Sequence, residues 1–121
     1  MSSLENILDS KYNKLFYEIV KYLSRQYNFY INIEITDNYM NLIHNSSLGR
    51  MIFTLNKDKF ETYNITSGKY FMDISNFKIL YENIKNNKVL FKLKEKIFYI
   101  EILDKNNNPV FSCYTAQKDA F

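Results

Sequence analysis

The chain of 121 residues is long enough for one hydrophobic core and too short for two, so we expect a single domain over residues 1–121. With 46% hydrophobic residues, two glycines and one proline, the composition excludes a disordered chain and argues against long flexible linkers. The net charge of +3 is too weak to hold nucleic acid by charge alone. Heavy use of lysine, asparagine and isoleucine is typical of an A/T-rich genome.

The cysteine content and the hydropathy indicate where such a protein would act. Cys113 is the only cysteine, so no internal disulfide can form and the chain suits a reducing compartment. No apolar stretch approaches the roughly 20 residues that span a bilayer. The first residues lack the basic start and the apolar run of a signal peptide. We therefore expect a cytoplasmic protein that does not enter a membrane.

The first periodic segment covers residues 3–27, where apolar residues recur every three or four positions. This spacing predicts one long amphipathic helix. Ser2 and Glu5 fit a capping box at the start of that helix. Asp9 and Ser10 mark a break between a short lead and a long body.

The apolar period then changes from 3.6 to 2, which predicts strands. Ile33 and Ile35 lie in the first of these strands, and a turn at Asp37-Asn38 places them opposite Leu42 and Met40 of the next one. Two more strands are predicted over residues 51–55 and 60–65. Residues 66–73 are predicted to form a loop.

The second half of the chain predicts a helix, a hairpin and a last strand. Asp73 or Ser75 caps the helix, the hairpin turns at Glu95-Lys96, and the last strand covers residues 110–115 before a polar tail from about residue 116. The sequence therefore predicts an α+β fold in the order α-β-β-β-β-α-β-β-β. Its predominantly antiparallel sheet of about seven strands carries two helices on one face.

No set of residues forms a recognisable catalytic site. His44, the sole histidine, falls at the end of an apolar sheet face, and Cys113 falls between apolar neighbours in a strand, so both are predicted to be structural. Closely spaced zinc ligands are absent, and the two glycines lie too far apart for a phosphate-binding loop. We therefore expect a protein that is not an enzyme and that holds no metal and no cofactor.

A lysine-rich segment, residues 85–96, lies in the predicted hairpin and places Lys92 opposite Tyr99. Ammonium groups beside an aromatic ring on a sheet are typical of single-stranded nucleic-acid binding. A second interpretation, which we favour, is that lysines on an edge hairpin block sheet-to-sheet aggregation. The candidate nucleic-acid-binding residues are Lys88, Lys92, Lys94, Lys96 and Tyr99.

The 11 tyrosines form the other unusual feature, since several fall on faces that are otherwise polar. An exposed tyrosine offers a large contact area at a small entropic cost, which is typical of protein interfaces. The candidate partner-binding residues are Tyr30, Tyr39, Tyr63 and Tyr99.

The leading functional hypothesis is a non-catalytic binding module that docks a protein partner, such as an accessory or inhibitor protein of a phage or mobile element. Two alternatives stay open. One is a single-stranded nucleic-acid binder that uses the lysine-rich hairpin. The other is a small-ligand-binding protein with a pocket between sheet and helices, lined by phenylalanine and tyrosine.

Overall fold

A computed structural model describes residues 3–26 and 30–117. These residues form an α+β fold, as the sequence predicts. Neither α-helix is long and apolar enough to cross a membrane. The elements are β1 (Leu4–Leu8), α1 (Asn13–Leu23), β2 (Tyr30–Ile35), β3 (Tyr39–Ser46), β4 (Gly49–Asn56), β5 (Phe60–Tyr63), β6 (Gly68–Asp73), α2 (Phe77–Glu82), β7 (Lys88–Lys94), β8 (Ile97–Leu103) and β9 (Pro109–Ala116).

The nine described strands lie in two antiparallel sheets, where the sequence predicted about seven strands in one. The five-stranded sheet has the order β5-β1-β7-β8-β9, and the four-stranded sheet has the order β4-β3-β2-β6. Hairpins supply four of the seven pairings between the described strands, namely β2–β3, β3–β4, β7–β8 and β8–β9. The others join distant strands: β2 pairs with β6, and β1 inserts between β5 and β7, which places β7 in the interior of its sheet.

The prediction of a helix from residue 3 is wrong, because residues 4–8 form β1 and α1 begins only at Asn13. In β1, Asn6 and Leu8 are buried. The Asn6 Oδ1 accepts hydrogen bonds from the backbone N–H groups of Asn64 and Ile65, at 2.7 and 3.0 Å. Because polar Asn6 occupies an inward position, β1 lacks the alternation of apolar and polar residues that predicts a strand. The predicted capping box involves Ser2, which lies outside the described residues.

The prediction of a loop over residues 66–73 is also wrong over most of that range, because Gly68–Asp73 form β6, which pairs with β2. Tyr70 lies opposite Ile33 and Met72 lies opposite Ile31, with Met72 fully buried. A strand that begins at a glycine and has only two inward side chains gives a weak periodic signal. The missed strand completes the four-stranded sheet.

The two hairpin predictions that rest on short turns are confirmed. Ile33 pairs with Leu42 and Ile35 with Met40, as the alternation predicted. Glu95 and Lys96 form the turn between β7 and β8 with φ values of 53° and 63°. Positive φ at both central residues is typical of a type I′ turn, whose twist matches that of the flanking strands. The tail predicted from about residue 116 falls mostly on residues 118–121, which lie outside the described residues.

Helix α1 packs against the inner faces of both sheets. The Phe16 ring lies edge-on to Phe91 of the five-stranded sheet, with ring centroids 5.3 Å apart. At the C-terminal end of the helix, the Tyr22 ring centroid lies 5.5 Å from the ring centroid of Phe53 in the four-stranded sheet. Fully buried Phe16, Phe77, Phe91 and Phe98 belong to one continuous core with the inner faces of the sheets. Packed side chains therefore occupy this part of the region between the sheets and the helices.

The two sheets are joined in different ways on their two sides. On one side β4 runs into β5 through a 3₁₀ turn, Lys57–Lys59. On the other side the Gln117 side chain forms the two hydrogen bonds that a paired strand would make with Phe71. Its Oε1 accepts a hydrogen bond from the Phe71 N–H at 2.9 Å, and its Nε2 donates one to the Phe71 carbonyl at 2.8 Å. The Thr115 hydroxyl accepts from the Asp73 N–H at 2.9 Å. Side chains thus satisfy backbone groups of β6 that no neighbouring strand reaches.

Candidate partner-binding surface

The hairpin of β3 and β4 is the most exposed apolar part of the described chain. Leu48 at its turn is 98% exposed, and Met51 and Ile52 in β4 are 43% and 46% exposed. A fully buried aliphatic side chain contributes about 1.5–3 kcal/mol relative to an exposed one. These three side chains forgo that gain in the isolated molecule and are available to a partner.

The hairpin and the C-terminal end of α1 enclose a depression of about 270 Å³, which we call the hairpin cleft. The helix contributes Tyr22, whose ring lies edge-on to the His44 ring with centroids 6.4 Å apart. Tyr22 is 36% exposed at the rim of this depression, and a tyrosine in such a position is a common anchor in protein interfaces. The cleft is lined by Tyr22, Gln26, His44, Ser46, Leu48, Gly49, Arg50 and Met51.

His44 lines this cleft and is 3% exposed. Its position on the inner face of β3 agrees with the predicted structural role at a sheet margin. Its Nε2 atom is buried and has no hydrogen-bond partner in the described part of the chain. A buried polar atom left unpaired typically costs about 1–3 kcal/mol. This ring nitrogen therefore lies beneath the cleft surface without a partner among the described residues.

Arg50 is the only lysine, arginine, aspartate or glutamate among the described residues that line the hairpin cleft. Residues 19–26 and 38–52 include Lys21, Arg25 and Arg50 but no aspartate or glutamate. Arg50 donates from its Nε to the Asn45 Oδ1 at 2.9 Å, which leaves its two terminal nitrogens directed away from that bond. A surface of this kind favours a partner that combines apolar side chains with carboxylates.

The lysine-rich hairpin occupies a different environment from the one the sequence suggested. Strands β7 and β8 each have a neighbour on both sides, so the interpretation of an edge hairpin guarded by lysines is wrong. Lys92 pairs with Tyr99 as predicted. Its Nζ, however, lies 2.6 Å from a Glu101 carboxylate oxygen and 4.5 Å from the Tyr99 ring centroid. The one lysine in register with the aromatic ring is therefore already neutralised.

The other lysines of this segment are less constrained. Lys88 donates to the Asn107 Oδ1 at 3.2 Å, beyond the far end of the hairpin. Lys94 and Lys96 lie exposed at the turn. Tyr99 is half-buried and lies 5.9 Å, centroid to centroid, from Tyr114, which is 67% exposed. The five candidate nucleic-acid-binding residues thus share one sheet face and its ends.

The four candidate tyrosines do not lie on one face. Tyr30 is 54% exposed on the outer face of the four-stranded sheet, whereas Tyr99 is on the outer face of the other sheet. Tyr39 is half-buried beside Asn56 near the opposite end of the β2–β3 hairpin from Tyr30. Tyr63 packs against the core, and its hydroxyl donates to the Thr36 carbonyl at 2.7 Å.

Burial raises the pKa of three side chains in the described residues: Tyr63, Tyr70 and Cys113. Burial raises the pKa of the Tyr63 hydroxyl to about 12, and the nearby Asp37 carboxylate adds to this effect. Burial likewise raises the pKa of the Cys113 thiol to about 12, with a smaller contribution from Asp73. A thiol that stays protonated is a poor nucleophile. Within residues 3–26 and 30–117, no group of three or more His, Cys, Asp or Glu side chains is arranged to hold a metal ion.

Sequence reasoning missed Leu48, Ile52 and the cleft itself. The available signal was the run from residue 38 to residue 56, in which Arg50 is the only lysine, arginine, aspartate or glutamate. Long uncharged strands normally occur inside a sheet, so this run by itself predicts an interior strand. The strand order shows that β4 is an edge strand. Neither models of known protein families nor curated proteins match this chain.

Proposed function

We propose that this chain is a non-catalytic binding module that docks a protein partner through the hairpin cleft and the adjoining side chains of β4. The observation that carries the proposal is the exposure of Leu48, Met51 and Tyr22 around one concavity. Apolar and aromatic anchors gathered at one depression are the usual centre of a protein interface. The composition, typical of an A/T-rich genome, supports the narrower proposal of a phage or mobile-element accessory or inhibitor protein.

The partner that fits this surface is apolar at its centre and acidic around it. Leu48 and Met51 would pack against the apolar centre, while Arg50 would face a carboxylate. Each of these gains arises only on binding, which supports this surface over the dispersed tyrosines.

The nucleic-acid alternative receives less support from the side-chain contacts. A phosphate would have to compete with Glu101 for Lys92 at 2.6 Å. Stacking of a base on Tyr99 would have to displace the Lys92 ammonium group or Tyr114 from its ring. For these reasons we propose a protein partner.

Affinity capture from a lysate of the organism that encodes the chain tests the proposal. We expect the protein captured by the wild-type chain to be lost when Leu48→Ser and Met51→Ser are combined, because both changes remove apolar contacts at the cleft. A matched control combines Ile79→Ser and Val110→Ser, two side chains of similar exposure (47% and 44%) to Met51 that lie outside the cleft. Equal capture by both double variants, or capture that disappears on nuclease treatment, would contradict the proposal.

A further inference from the structure

Strand β4 is the open edge of the four-stranded sheet: among the described residues it pairs only with β3, whereas Gln117 and Thr115 bond backbone groups of β6 at the opposite edge. Strand β4 has eight residues in regular register with β3, without a bulge. It contains no proline, and Arg50 is its only charged side chain. Natural edge strands are usually protected by charge, proline, bulges or short length. Strand β4 has none of these protections over most of its length.

The edge strands of the five-stranded sheet, β9 and β5, are protected in the usual way. Strand β9 begins at Pro109, and its pairing with β8 shifts register between Ile102 and Leu103. Strand β5 is short. It has four residues, includes Glu61 and follows Lys59. Its pairing with β1 shifts register between Ile7 and Leu8. The absence of such features in β4 is therefore specific to that edge.

The hydrogen-bond pattern shows which groups of β4 point outward. The Lys57 N–H donates to the Asn38 carbonyl at 2.9 Å, so residues 38 and 57 form a hydrogen-bonded pair. Antiparallel pairs alternate, and the β3–β4 register is unbroken. The backbone N–H and C=O groups that point away from β3 therefore belong to Arg50, Ile52, Thr54 and Asn56.

We propose that β4 pairs antiparallel with β4 of a second copy of this chain, about a twofold axis beside Phe53. This register sets Arg50 opposite Asn56 of the second copy and Ile52 opposite Thr54 of the second copy. Every outward backbone group then finds a partner, and no two like charges face each other. The two four-stranded sheets merge into one continuous sheet of both copies.

The side chains of β4 suit this arrangement. On the inner face, the two copies of half-buried Phe53 come together at the axis, and Met51, 43% exposed, lies opposite Leu55 of the second copy. On the outer face, Ile52 loses part of its 46% exposure against a threonine. A second copy is favoured over an unrelated strand because β4 itself supplies both residues of each facing pair, Arg50 with Asn56 and Ile52 with Thr54. This inference goes beyond the proposed function and does not depend on it, since its test uses the purified chain alone.

Sedimentation velocity between about 10 and about 200 µM protein tests the pairing. We expect a wild-type dimer whose fraction rises with concentration. Ile52→Pro removes an outward N–H without touching the β3 ladder, and we expect it to raise the dimer dissociation constant at least about tenfold. Ile52→Thr keeps that N–H and a β-branched side chain, and we expect it to dimerise within a few-fold of wild type. A wild-type chain that stays monomeric throughout, or equal dimerisation of the two variants, would overturn the inference.

A charge-exchange experiment keeps the inference testable even if the proline variant does not fold. One chain carries Ile52→Lys with Thr54→Lys, and the other carries Ile52→Glu with Thr54→Glu. The register opposes like charges in each homodimer and opposite charges in the mixture. We expect each chain alone to be monomeric and the mixture to form a heterodimer, with the effect weakening as salt is raised. Failure to associate on mixing, with both chains folded by circular dichroism, would overturn the pairing.

Discussion

The two hairpins formed by β7–β8 and by β3–β4 have opposite relations to the rest of the molecule. The first is rich in lysine and lies inside its sheet, with β1 and β9 on its flanks. The second has one charged residue between its first and last position, and its outer strand is an open edge. The comparison teaches that charge along a strand does not reveal whether the strand faces solvent. Strand order decides this, and strand order depends on distant pairings.

The largest effect that separates the two hairpins is expected from truncating their inner phenylalanines. Phe91 in β7 is fully buried between the rings of Phe16 and Phe60, whereas Phe53 in β4 is half-buried. We expect Phe91→Ala to lower the free energy of unfolding by about 3–5 kcal/mol and Phe53→Ala to lower it by clearly less. Urea unfolding followed by circular dichroism measures both. Equal losses would mean that the β3–β4 hairpin is as integral to the core as β7.

An intermediate effect is expected from the ion pair of the β7–β8 hairpin. The Lys92 and Glu101 side chains are only 21% and 13% exposed, so removing one leaves the other poorly solvated. We expect Lys92→Ala to destabilise the protein by about 1–3 kcal/mol. Lys94→Ala, at the exposed end of the same strand, should change the stability by less than about 0.5 kcal/mol.

The combined change Lys92→Met with Glu101→Leu distinguishes the stability lost by breaking the ion pair from the stability lost with the packing of the lysine stem. Because it removes both charges and keeps apolar bulk, we expect it to recover most of the stability lost in Lys92→Ala. Urea unfolding of all four proteins provides the measurement. If the double variant is as unstable as Lys92→Ala, the loss comes from packing of the lysine stem and not from an unpaired carboxylate.

A third effect is absent at neutral pH and appears only in alkali. The pKa of the Cys113 thiol is raised to about 12 in the folded chain, against about 8.5 in an unfolded one. Above pH 9 the unfolded chain loses this proton while the folded chain keeps it, so the stability should fall as pH rises toward 12. The fall from this group is at most about 1.4 kcal/mol per pH unit. We expect Cys113→Ala to remove it, as judged by the difference between wild-type and variant urea unfolding at several pH values.

A cysteine placed in the β3–β4 hairpin serves as the comparison for the Cys113 thiol, which lies in β9. Met51→Cys in the Cys113→Ala background puts a thiol at a position that is 43% exposed in the wild type. We expect that thiol to react with a disulfide reagent at pH 8 much faster than Cys113 of the folded wild type. Similar rates would show that β8 and β9 separate readily, contrary to the buried position of Cys113.

The sequence predicted the strands whose inner face is purely apolar and whose partner follows through a short turn. The isoleucines of β2 and β8 alternate without interruption, and the turn at Glu95-Lys96 fixes its register locally. The alternation failed at β1 because Asn6 occupies an inner position and is satisfied by the chain at Asn64 and Ile65. No local pattern contains that contact.

The candidate surface could not be predicted for a related reason. The exposure of Met51 and Ile52 follows from the edge position of β4, and the neutralisation of Lys92 follows from the contact with Glu101 across the hairpin. The sequence did indicate both the Lys92–Tyr99 register and an unusual set of tyrosines. It could not indicate that these tyrosines are spread over two sheets.

The insertion of β1 between β5 and β7 also bears on how the protein is made. During synthesis β1 precedes its neighbour β7 by most of the chain, as the pairing of Asn6 with Phe91 shows. Its other neighbour, β5, is short and open on its far side. Closing so long a loop delays the final pairing, and proteins dominated by such distant contacts fold in milliseconds to seconds. The pairing of β3 with β4 is local in sequence, so we expect this hairpin to form before β1 is in place and its open edge to be accessible to other copies during that interval.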